Sequence, residues 1–133
     1  MSSTFTAQDK TTLRTAAHGS VALMAWAAGT SSPHRVATNG SFALYAATGP
    51  VGYVLAEKKN DLKLGHKSSA ALADHVLPAI TASVALLAND PAELANFRET
   101  VVVAVEAAAQ GSKKGVTPTL EAMAAKIHEA LGA

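Results

Sequence analysis

The amino-acid sequence predicts an all-α fold: an up-and-down bundle of four main helices, with an additional short helical segment between helices one and three. Three observations predict it. Apolar residues recur at three- and four-residue steps through most of the chain, the spacing of one helix face. Asp90-Pro91 and Thr117-Pro118 each place a capping side chain directly before proline, the start signal of a helix. The composition is 49% hydrophobic but only 5% aromatic, and much of the apolar share is alanine, which favours helix while burying little area.

With 133 residues the chain reads as a single helical domain spanning 1–133, long enough to bury a core without a metal or disulfide staple. The charged fraction of 16% is far from that of a disordered chain. A net charge of +1 offers no basic patch for nucleic acid or anionic membrane. The absence of cysteine excludes disulfides, thiolate metal sites and cysteine nucleophiles.

The segment Met1 to Lys10 lacks the basic start and apolar run of a secretory signal, which points to a soluble, cytoplasmic protein. Neither apolar run weighed as a membrane span qualifies. Ala16 to Ala28 is shorter than the roughly 20 residues a bilayer requires. Val36 to Ala56 is broken by Asn39, Ser41 and Gly49-Pro50.

The first helix is predicted over Ala7 to Ala28, opened by Thr6 with Asp9 three residues on and stopped by Gly29. Leu13, Ala16, Ala17, Val21, Met24 and Ala28 form its stripe. Leu23 and Trp26 lie off that stripe, so its last turns read as apolar all round and deeply buried. Gly29 to His34 is a loop.

The next segment admits two forms. In one, Val36 to Ala47 is a helix that turns Val36, Gly40, Ala43, Leu44 and Ala47 inward, and Gly49-Pro50 starts a short helix to Lys58. In the other, Ser41 to Ala46 pairs with Val51 to Leu55 as a hairpin. Helix is favoured because Ala43, Ala46 and Ala47 are poor strand residues.

Glu57 to Lys67 is a charged, exposed connection broken by Asn60-Asp61 and Gly65. A helix follows from Ser68 or Ser69 to about Ala88, with Leu72, Val76, Ala79, Ile80, Ser83 and Leu87 inward and a bend near Asp74 imposed by Pro78. Asp90, Pro91 and Glu93 begin a helix that Gly111 closes, with Leu94, Phe97, Val101, Ala104, Val105 and Ala108 on its inner face. Val102 and Val103 widen the apolar surface, which marks this helix for the bundle centre or an oligomer contact. The last helix runs from Thr117-Pro118 to Leu131.

No stretch names a reaction, cofactor or substrate. His128-Glu129 begins a zinc signature whose second histidine is replaced by Gly132, and no metal site is expected. Gly65-His66-Lys67-Ser68 lacks the spacing of a phosphate loop, although Lys63, His66 and Lys67 precede a helix N-terminus that suits an anion. Asn39-Gly40-Ser41 matches a glycosylation sequon without a leader to give it meaning. His34, Arg35, Asn39 and Tyr45 bring polar groups to the segment that would cover an interhelical pocket.

Two functions follow. The first is a non-enzymatic interaction module, homo-oligomeric through apolar helix faces, with neither nucleic acid nor membrane as partner and no cofactor. The second is a bundle that binds a small molecule or anion, or acts on one, beneath residues 34–67. Its ligand-binding residues would be Arg35, Asn39, Tyr45, His66 and Lys67.

Overall fold

A computed structural model describes residues 5–30, 32–57 and 62–132. Among them are six helices and no strand: α1 (Ala7–Ala28), α2 (Pro33–Tyr45), α3 (Gly49–Ala56), α4 (Ser69–Leu86), α5 (Pro91–Gln110) and α6 (Pro118–Leu131). Expectations for Met1 to Thr4, Ser31 and Lys58 to Asp61, including the Asn60-Asp61 break, lie outside the described residues.

The capping chemistry explains where most helices begin. The Thr6 hydroxyl accepts from the Asp9 amide at 3.0 Å, while the Thr6 amide donates to the Asp9 carboxylate at 3.0 Å. Asp90, Thr117 and Ser68 each accept an amide of the first turn they precede. Gly29, at φ 59°, ends α1 where expected.

The segment after α1 forms two helices joined through Ala46 to Thr48, and no hairpin forms between Ser41 and Leu55. Its first helix starts three residues before Val36. Ser32, at φ 59°, turns the chain and Pro33 supplies a preset first helical residue. That helix ends at Tyr45 rather than Ala47, and Gly49, at φ 79°, opens α3.

The bundle is organised around α1, which packs against each of the other helices. Of the two places expected for the Pro91 helix, the bundle centre or an oligomer contact, the centre falls to α1 instead. The reason lies in small residues: a Cβ on Gly19 would stand 2.5 Å from a Val76 methyl of α4, and one on Gly40 of α2 would stand 2.7 Å from Val21 methyls. Only glycine allows those approaches, so α1 is closely flanked on two sides. Leu13, Leu23, Met24, Leu44, Ile80 and Phe97 are among the fully buried side chains.

The end of α1 is not deeply buried as a whole. Leu23 and Met24 are enclosed, but Trp26 is 44% exposed and lies over a shallow recess with Ala25, Gly29 and Pro33. An all-round apolar helix end has no stripe to say which residue faces a neighbour, and the described helices leave the Trp26 side uncovered.

α4 runs unbroken through Pro78, whose ring is exposed, as is the preceding Asp74. The carbonyl that loses its partner therefore belongs to a residue in contact with solvent. By length and composition α4 is apolar enough to cross a membrane. In this fold it turns Leu72, Val76, Ile80 and Ser83 inward and packs against α1 and α6.

Candidate functional site

Between Val36 and Ala56 the sequence contains no Asp, Glu, Lys or Arg. The α2 residues at four-residue steps, Val36, Gly40 and Leu44, face the core. The opposite side of the helix consequently presents Phe42, 68% exposed, with Tyr45 one turn further on. Ala46, on the same face as Phe42, lines a shallow cleft of about 300 Å³ with Ala43, Ala47 and the exposed Val103 of α5. The α2 side of this cleft carries no charge, while α5 contributes Asn96, Glu99 and Thr100 alongside Val103. Tyr53 of α3, 81% exposed, is a further outward aromatic in the same uncharged stretch.

The short α3 that follows this face is held at both ends by other helices. At its start, the Val51 amide donates to the Glu93 carboxylate at 3.0 Å, and the Asn96 side-chain amide donates to the Thr48 carbonyl at 2.8 Å. The Glu93 side chain is thus directed to α3, where the sequence reading gave it to the capping box of its own helix. At the other end, His18 of α1 meets the Leu55 carbonyl at 2.8 Å, and Arg14 pairs with Glu57 at 2.9 Å. A carbonyl only accepts, so Nε2 of His18 carries the proton.

Burial pushes His18 below the ordinary histidine range, and the Arg14 charge adds to the fall against an opposing effect of the Leu55 bond. The ring of Tyr45 lies beside it, centroid to centroid 5.8 Å. This polar cluster uses its hydrogen-bonding groups to fasten a helix end.

The residues expected to bind a ligand are dispersed. Arg35, Asn39 and Tyr45 share α2, but Arg35 and Tyr45 stand about 15 Å apart along its axis. Arg35 is exposed at the start of α2, where its carbonyl closely faces Gly111, and Asn39 is half-buried. His66 directs Nε2 to the Lys63 carbonyl at 2.9 Å and stacks near His75, with ring centroids 5.2 Å apart, while Lys67 is exposed. The first free amides of α4 already include one taken by Ser68. None of these five residues lines the clefts described here.

An opening of about 600 Å³ lies between α5 and α6. Val105, Ala109, Val116, Leu120 and Ala124 form its apolar walls, with Glu106, Gln110 and Glu121 beside them. α5 and α6 are loosely joined, and alanine at positions 109, 124 and 125 leaves the space between them open. His128 also lines the opening; its Nε2 is buried and has no hydrogen-bond partner among the described residues. A polar atom left so costs about 1–3 kcal/mol.

In the sequence His128 stands out only as half of a zinc motif, and its place beside this opening is not visible there. The available signal was the alanines at 109 and 124, at positions where helical periodicity calls for larger apolar residues. No cluster of three or more potential metal ligands occurs among the described residues. Compared with family models, curated proteins and solved structures, the chain matches none.

Proposed function

We propose that the protein is a non-enzymatic interaction module that pairs with a second copy of itself through the outward face of α2 and the adjoining edge of α5. The observation that carries this reading is the uncharged stretch from Val36 to Ala56 with Phe42, Tyr45 and Tyr53 turned outward. Aromatic side chains left on a surface cost solvation and are the usual anchors of protein interfaces. The α2 and α3 part of this face carries no charge and can meet its own copy across a two-fold axis, where each residue acts twice, with Glu99 at its α5 edge.

Light scattering coupled to size exclusion tests it. The expected result is a dimer mass at micromolar concentration that becomes a monomer mass in Phe42→Ser and in Val103→Lys, with each variant keeping the wild-type thermal midpoint at low concentration. The lysine places two charges in the interface, one from each copy. A chain that is monomeric at every concentration, or a dimer indifferent to both substitutions, overturns the proposal.

A further inference from the structure

His66, in the connection before α4, and His75, on the second turn of that helix, lie side by side with ring centroids 5.2 Å apart. The sequence shows no such pair, since the two residues stand nine apart, one in a loop and one on a helix. His75 is exposed and forms no hydrogen bond among the described residues. His66 is half-buried, and only its Nε2 is engaged, by the Lys63 carbonyl at 2.9 Å. Its Nδ1 has no partner among the described residues and is not one of the buried polar atoms, so a solute reaches it.

The contact with Lys63 fixes the chemistry of that open nitrogen. A carbonyl only accepts, so the proton of His66 sits on Nε2 and the lone pair on Nδ1. Histidine ligands of metals are held in this way, the nitrogen away from the ion donating to a carbonyl that sets tautomer and ring orientation. The spacing of the rings fits a shared ion. With metal–nitrogen bonds of about 2.0–2.1 Å and about 1.1 Å from nitrogen to ring centre, two imidazoles at a tetrahedral angle have centroids about 5.2 Å apart. Lys63 and Lys67 flank His66 and Asp74 precedes His75, all three exposed, where water and salt screen their charges. Imidazole nitrogen suits zinc and its neighbours in the transition series, whereas magnesium and calcium take oxygen.

We infer that His66 and His75 form a surface chelate for a divalent transition-metal ion of the zinc class, bound by Nδ1 of His66 and one ring nitrogen of His75, with water in the remaining positions. No third potential ligand joins them among the described residues, so the ion is exchangeable and lacks the closed shell of a structural zinc. Its binding ties the connection after Lys63 to α4. The site is independent of self-association, which uses α2 and α5.

Imidazole nitrogen NMR on the full chain, titrated with zinc chloride and with magnesium chloride as the control, reads each histidine separately. Zinc is expected to shift Nδ1 of His66 and a ring nitrogen of His75 saturably and together, and magnesium to leave both unmoved. His75→Gln and His66→Gln, neither at a core position, should each lower the zinc affinity about tenfold or more. His34→Gln, at an exposed position on α2, should leave it unchanged. Zinc should also raise the thermal midpoint of the wild type and not that of His75→Gln, because an ion that binds the native state stabilises it. No saturable shift, shifts centred on other histidines, an equal response to magnesium, or a zinc affinity that survives His75→Gln overturns the inference.

Discussion

The first helix and the α2–α3 stretch invert each other. α1 buries Arg14, Thr15 and Ser20 and draws His18 partly inward, whereas α2 and α3 have no charge beyond Val36 and leave Phe42, Tyr45 and Tyr53 outside. What decides burial is the set of available partners more than polarity alone. Ser20 donates to the Ala16 carbonyl at 2.6 Å, Arg14 has Glu57 and His18 has the Leu55 carbonyl. Ser20, Arg14 and His18 thus each have a hydrogen-bonding partner within the fold, which offsets part of the cost of burying them. Phe42 lies opposite the side on which Gly40 brings α2 against α1. Close backbone contact on one flank leaves the bulky residues on the other.

The largest expected effect sets two phenylalanines against each other. Phe97 is fully buried, and Phe97→Ala should cost about 3–5 kcal/mol in denaturant unfolding. Phe42→Ala, measured on dilute monomer, should stay within about 0.5 kcal/mol of wild type. An equal loss from both substitutions would break the contrast between inner and outer apolar residues.

An intermediate effect is expected where α2 meets α1. Gly40→Ala gains helix propensity but forces a methyl against Val21, so it should destabilise by about 1–3 kcal/mol. A gain in stability in thermal unfolding would mean that small residues do not set the α1–α2 distance.

The smallest effect concerns His18. Its lowered proton affinity means that the unfolded chain takes up a proton more readily than the fold does in the window below the ordinary value of 6.5. Its contribution to stability is therefore present above that value and is lost as pH falls towards the lowered one. Unfolding followed across this window should show less acid sensitivity in His18→Gln than in wild type, and identical profiles would remove His18 from the pH response.

Much of the helical content is legible in local chemistry because caps act over a few residues. Thr6 with Asp9, Asp90 before Pro91 and Thr117 before Pro118 each define a start that the structure reproduces. The start of α2 is less legible, since Ser32 makes no side-chain cap bond and turns through a positive φ instead. Tertiary choices are less legible still. Nothing in the spacing says that Trp26 stays outside while Leu23 goes in, or that Glu93 caps α3 rather than its own helix. His128 shows the same limit: its place beside the α5–α6 opening depends on alanines from two helices, a relation that no single helical stripe contains.

The fastening of α3 also has a meaning in time. An isolated helix shorter than about 12 residues is marginal in water, and α3 has 8. Its stabilising bonds come from residues 37 and 43 positions away in α1 and from 42 and 48 positions away in α5. Loops of that length must close before any of those bonds forms. α3 therefore leans on α1 and α5 for its stability, and its amides are expected to exchange with solvent ahead of those in the buried turns of either helix.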